Sequence, residues 1–331
     1  MATNNSTAST ISCVPSNQSD LVIIYAIQGI YGGISILLYI LNIRALLQQR
    51  NPLDRVFSKL YIASAIISII YFLAHYCIQR FVGLGFWCNE LLYAFGKPNW
   101  VLNPYKSIAT YCPMAILVLH FTISFNRFTA VFAPFTAADF WSHHYTRILI
   151  LSLLVPLIFT WFVLPCRSYA QVDKEKGGLV IEYERVFALS ASLHSAIAAA
   201  IFGLLTFLVT IFIFIKLLNT NLKRISAAEK TMLAFEGFLA FTTLMYATTQ
   251  ALLYSSKYFF KSETMQNSVM FFRDFIIDIF ILPNAWTLPL LSQSVRRFYV
   301  RTFYWIIGKK VSVQQPLTVT QRLHCATRHN S

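Results

Sequence analysis

Glu229, Glu236, Thr243 and Gln250 recur every seven residues. On a helix that spacing keeps them along one stripe, drifting only about 20° per heptad. His120 and Arg127 are also seven apart and share a face in the same way. Two kinds of chemistry suit such groups in an apolar setting: carboxylates and imidazoles can pass protons, and an arginine facing an acid can form an ion pair made in one conformation and broken in another. Glu236 reads either as a buried acid kept uncharged by its surroundings or as half of a polar switch. Thr243 and Gln250 need only join helices by hydrogen bonds, and His75, His120 and His194 read as hydrogen-bonded core residues. Asp278 precedes LPNAWTLPLLS, where Pro283 and Pro289 interrupt the backbone ladder and Asn284 can bond a freed carbonyl. Pro113 can kink the helix that carries His120, whereas Arg273 and Asp274 read as rim residues.

Catalytic constellations are scarce. The sequence has no HExxH, GxSxG or phosphate loop. His143 and His144 read as solvated loop residues, because no other histidine cluster stands at metal-ligand spacing. Neither an enzyme nor a cofactor is expected.

The elements that must position these groups are membrane helices. Of 331 residues, 56% are hydrophobic and 12% charged, and the mean hydropathy is +0.57, too apolar for an ordinary soluble domain. A spanning helix needs roughly 20 apolar residues. Seven such segments run approximately Leu21 to Ile43, Leu60 to Gln79, Ser107 to Phe125, Ile148 to Pro165, Phe187 to Ile215, Thr231 to Tyr254 and Ser268 to Leu291. The expected fold is therefore an all-α membrane protein, a seven-helix transmembrane bundle with inner loops of roughly fifteen to twenty residues. A net charge of +14 would suggest nucleic acid in a soluble protein; here its distribution matters more, and no nucleic-acid partner is expected. Placing the N-terminus outside and the C-terminus inside puts 17 of the 27 Lys and Arg on the inner side and 10 outside, as the positive-inside rule favours.

Four regions follow. Residues 1–20 form an extracellular tail without Lys or Arg, carrying sequons at Asn4, Asn5 and Asn17; it lacks a cleavable signal's pattern, so the first span serves as signal anchor. Residues 21–291 are the transmembrane domain. Residues 292–308 read as an amphipathic helix on the inner leaflet, with Val295, Phe298, Tyr299 and Ile306 on one face and Arg297 and Arg301 on the other. Residues 309–331 read as a disordered cytoplasmic tail. Among six cysteines, Cys88 with Cys166 is the favoured disulfide, tying the first outer loop to the end of the fourth span, with Cys13 as a competitor.

Asn126-Arg127-Phe128 closes the third span where G-protein-coupled receptors commonly carry Asp-Arg-Tyr. GGLVIEYERVFALSAS at 177–192, FSKLY at the start of the second span and Asp278 followed by LPNAWTLPLLSQSVRR are similar to nematode serpentine receptors of class gamma. That resemblance, which covers most of the chain, implies a chemosensory receptor of the plasma membrane: a small-molecule ligand enters the outer half of the bundle and a heterotrimeric G protein is activated. Carried over, Arg127 would be the restrained arginine. Because Asn126 replaces the usual adjacent acid, Glu229 becomes its expected resting-state partner. Lys223, Arg224 and Lys230 would face lipid phosphates or an acidic partner surface. Ligand-contact candidates are Tyr111, Met114, His194 and Gln250. The rival reading is a proton-coupled transporter using Glu236 and Asp278; the absence of internal repeats weighs against it. A ligand-gated channel or scaffold is a third.

Overall fold

The computed structural model describes residues 19–48, 52–84, 87–172, 178–187, 189–219, 227–282 and 284–306. The sequons, Cys13, Lys223, Arg224, Pro283 and the tail beyond 306 lie outside these. Helices run α1 Ser19–Leu47, α2 Pro52–Ala74, α3 Asn103–Phe132, α4 Pro134–Thr160, α5 Ala191–Asn219, α6 Ala227–Ser255, α7 Glu263–Ile281, α8 Asn284–Leu291 and α9 Gln293–Ile306. α1 to α5 are each long and apolar enough to cross a membrane. α6 matches them in length but carries a polar stripe, and α7 with α8 makes the seventh rod.

The helices outlast the apolar windows, and this corrects the expected loop lengths. Only Ala133 separates α3 from α4, and residues 48–51 separate α1 from α2. Proline explains the sharp restarts: Pro52 and Pro134 each open a helix, where a missing N–H costs nothing and the fixed φ is already helical. Consequently α3 runs on past Arg127 to Phe132. His143 and His144, expected in a loop, lie on α4. His143 is exposed beside Asp139 (3.2 Å), and the His144 ring packs 5.1 Å from Phe140.

α3 is the central rod. Met114, Ala115, Ile116, Leu117 and Leu119 are buried against the other helices, and the helix continues through Pro113 without a break. At the rim the side chains are apolar and exposed instead, as with Ile27, Ile30 and Ile34 on α1 or Leu204 and Leu208 on α5. Apolar outer faces and a polar-threaded interior are what a lipid solvent requires.

One end of the bundle is closed by a hairpin that no α-helical reading contains. β1 Ser168–Val172 pairs antiparallel with β2 Leu179–Tyr183, with Ala170 opposite Ile181. Both strands alternate buried and exposed residues, the two-residue period of a half-buried strand. A Cβ on Gly178 would sit 2.0 Å from the Gly83 carbonyl oxygen, so this junction accepts only glycine. At the opposite end α9 departs at 81° from the α7–α8 rod. Val295 is buried, Phe298 and Tyr299 pack on the core, and Arg297 and Arg301 are exposed.

Candidate functional site

Two polar assemblies thread the bundle. The first lies at the hairpin end, where α2 passes into a π-helical turn, His75–Arg80. Such a turn inserts an extra residue and re-aims side chains, a device frequent at functional sites. Here it turns both His75 and Arg80 inward, to 6% and 2% exposure. Arg80 donates from Nη1 to Asp278 Oδ2 (2.9 Å) and from Nη2 to Asp278 Oδ1 (2.8 Å), a bidentate pair between the second and seventh rods. Nη2 also reaches the Asp274 carbonyl oxygen at 3.2 Å. His75 Nε2 stands 3.9 Å from Asp274 Oδ1, and Arg273 Nη2 stands 3.6 Å from the same oxygen. From the first turn of α3, Lys106 Nζ donates to the Ile181 carbonyl oxygen (3.2 Å) and lies 5.4 Å from the Tyr183 ring centre. Tyr105 beside it donates to Gln79 Oε1 (2.9 Å). Three rods and the hairpin thus converge on Asp274 and Asp278.

The second assembly fills the middle and the far end with mainly neutral groups. His120, fully buried, faces Thr243 Oγ1 through Nδ1 (3.4 Å) and Asn284 Nδ2 through Nε2 (3.0 Å). With Asn284 donating, Nε2 accepts and the proton sits on Nδ1. Ser124 donates to Glu236 Oε2 at 2.5 Å. Arg127, one turn further along α3, lies 4.3 Å over the Phe57 ring and within electrostatic reach of Glu236.

At the break between α7 and α8 the expected remedy is replaced. The side chain of Asn284 serves His120 instead of a freed carbonyl. The carbonyls are met by α1 and α2: Tyr39 donates to Ile281 O, Asn42 Nδ2 to Ala285 O (2.8 Å) and Tyr61 to Asn284 O (2.8 Å). Side chains from neighbouring helices re-satisfy a backbone that proline has opened.

Of the ligand-contact candidates, Met114 and Gln250 are buried in the bundle. Tyr111 instead turns to α4, donating to Leu153 O (2.7 Å), and His194 bonds the Ser190 carbonyl (2.9 Å). None of the four joins the charged cluster. Asn126 is buried. Glu229 and Lys230 begin α6, and their side chains lie outside the description, so the Arg127–Glu229 pair does too. Arg273 and Asp274 are not merely rim groups: their side chains are only 26% and 20% exposed. The favoured disulfide is corrected. Cys88 is disulfide-bonded, but Cys166 is a free thiol, buried, its Sγ donating to Phe162 O (3.2 Å). Sequence reasoning missed Arg80 as the partner of Asp278, since the second span was ended one residue too early; an intramembrane acid demanding a cation was the available signal.

Asp278 and Glu236 fall into separate networks, one neutralised by Arg80 and the other bonded to Ser124. Among the described residues, the relay required of a proton-coupled transporter has no continuity.

Comparison with known proteins decides the family. The Srg family chemoreceptor model matches residues 25–299. The chain belongs to the Srg chemoreceptor family. It is 47% identical over 306 residues to serpentine receptor class gamma-69 of Caenorhabditis elegans, covering 92% of this chain and 88% of that protein. Serpentine receptor class gamma-20 of the same organism is 26% identical over 207 residues, covering 61% and 57%, and class gamma-15 is 26% identical over 218 residues, covering 65% and 63%. This Srg chain is thus a multi-pass membrane protein with a seven-helix bundle, of the chemoreceptor type.

Proposed function

We propose that the chain is a chemosensory receptor that binds a small molecule at the hairpin end of the bundle and activates a heterotrimeric G protein at the Arg127 end. The orientation that fits is N-terminus and hairpin outside, α9 and tail inside, with Arg296, Arg297 and Arg301 facing lipid phosphates. The observation that carries the reading is the division of polar chemistry: charges converge at the hairpin end, and mainly neutral hydrogen bonds lie between there and Arg127. A ligand that binds one packing of the rods better than another shifts the population toward it. The seam His120–Thr243–Asn284 ties α3, α6 and α8, so relative movement of these rods alters the surroundings of Arg127.

Glu229 and Glu236 lie on one stripe of α6, and both are suited to restrain Arg127 at rest. Lys223, Arg224 and Lys230 would add a basic surface for the inner leaflet or the partner. The deciding experiment is G-protein nucleotide exchange in membranes expressing the chain, wild type against Arg127→Ala, over a panel of small metabolites. Ligand-dependent exchange lost in the variant at equal surface expression supports coupling through Arg127; exchange that survives the substitution removes Arg127 from the switch. Glu229→Ala and Glu236→Gln should each raise basal exchange. Unchanged basal exchange in either withdraws that acid as a restraint.

A further inference from the structure

We infer that the hairpin-end cluster is a binding site for a small molecule carrying a single negative charge, a monocarboxylate, with Lys106 as its counter-ion. The inference rests on the receptor reading for its purpose but on the cluster alone for its chemistry. Arg80 and Arg273 face two carboxylates, Asp278 and Asp274, and Lys106 stands beside them as a third cation. Asp278 is consumed by the bidentate pair with Arg80, and Asp274 lies between Arg273 and His75. Lys106 is left over. Among the described residues no carboxylate oxygen comes within 4.0 Å of its ammonium, whose contacts are a backbone carbonyl and an aromatic ring. Glu182 acts on it electrostatically, but that side chain is exposed on β2. Lys106 is close enough to the other groups to act on both His75 and Arg273.

Unmet hydrogen-bond donors add to this surplus. Arg80 Nε and Arg273 Nε are buried donors with no hydrogen-bond partner, and His75 Nε2, on a side chain 8% exposed, has none either. Guanidinium nitrogens can only donate, and leaving buried donors unsatisfied is costly. These guanidinium donors call for an acceptor, and a carboxylate accepts at two oxygens in a geometry suited to guanidinium and ammonium. One spare positive charge selects a monoanion. A dianion would carry an unbalanced charge into a low-dielectric interior. The surroundings set the remainder of the ligand: Tyr71 stacked on His75 at 5.2 Å, Tyr105 and Tyr183 offer aromatic, half-polar walls, fitting an apolar or aromatic body.

The test uses the full chain in lipid nanodiscs, titrated with hexanoate, octanoate, decanoate and benzoate, each beside its methyl ester, and reads stabilisation against heating. The acids should stabilise the chain and the esters should not. Lys106→Met should weaken the best acid at least about tenfold, as expected for losing one charge-assisted hydrogen bond, while Lys106→Arg should hold it within about threefold because the charge remains. Equal stabilisation by acid and ester, acid binding indifferent to Lys106→Met, or no stabilisation by any of the acids would each overturn the assignment. Should Lys106→Met fail to fold, the wild-type acid–ester contrast and the arginine variant carry the test. Nucleotide exchange separates this from the receptor reading: acids that bind without promoting exchange leave the site standing and the coupling in question. Exchange promoted only by uncharged molecules does the reverse.

Discussion

The hairpin end and the middle of the bundle solve one problem in opposite ways. Both bring polar side chains into an apolar interior. At the hairpin end full charges are matched, Arg80 to Asp278 and Arg273 to Asp274, with Lys106 in excess. In the middle, His120, Thr243, Asn284, Asn42 and Tyr61 share neutral hydrogen bonds. A buried ion pair is strongly committed to its geometry, since removing either partner strands a charge. A neutral interhelical bond contributes little and can be exchanged for another at small cost. The bundle is thus pinned at one end and able to slide at its centre, which is how a binding event at the first could be felt along the second.

The largest effect that could break this contrast is at Arg80. Arg80→Leu strands the Asp278 carboxylate and should destabilise the chain by about 3–5 kcal/mol, visible as a collapse of surface expression and a lower melting temperature in nanodiscs. Arg80→Leu with Asp278→Leu together should recover most of that loss, because a buried pair replaced by packed apolar groups is often neutral. A single substitution no worse than the double one would mean that the pair does not pin the two rods.

How far this arrangement could be read from sequence differs between the two regions for a physical reason. The stripe Glu236, Thr243 and Gln250 was legible because a helix preserves a seven-residue period, and all three are buried. Seven apolar runs likewise announce their rods. The charged cluster was not legible, since its members come from α2, α3 and α7, distant in sequence, and a π turn shifts Arg80 off the helical period. The hairpin was hidden for the same kind of reason: LVIEY is equally compatible with a helix entrance until β1 supplies its partner. The α7–α8 break was legible from its prolines, but the helpers from α1 and α2 were not.

An intermediate effect is expected where α1 braces the π turn. α1 seats on the last turn of α2, which leads into the π turn, through a glycine: a Cβ on Gly32 would fall 1.9 Å from Phe72 Cζ, whereas one on Gly33 meets nothing within 4 Å. Phe72 stacks on Tyr76, whose hydroxyl donates to the Tyr25 carbonyl oxygen (2.7 Å). Gly32→Ala must displace that ring and should cost about 1–3 kcal/mol; Gly33→Ala should be near neutral. If the turn is braced through Phe72 and Tyr76, Gly32→Ala should also weaken whatever binds the hairpin-end cluster, and equal melting temperatures for the two alanine variants would show that the brace is dispensable.

The smallest effect is the most informative about the centre. Thr243→Val keeps the shape of the side chain and removes only the hydroxyl that faces His120. If the seam is made of exchangeable neutral bonds, the loss should be about 0.6 kcal/mol, the usual scale for such bonds within a membrane, and melting should hardly move. The functional readout should move more than the stability. The His120 proton on Nδ1 loses its acceptor while Nε2 keeps Asn284, so α3 stays tied to α8 but is held to α6 by Ser124–Glu236 without the His120 bond. Helix α6 is then freer to separate at the Arg127 end, and basal nucleotide exchange should rise at unchanged surface expression. A Thr243→Val chain as hard to express as Arg80→Leu would place a rigid core where a sliding seam is argued, and the contrast between the two ends would fail at its centre.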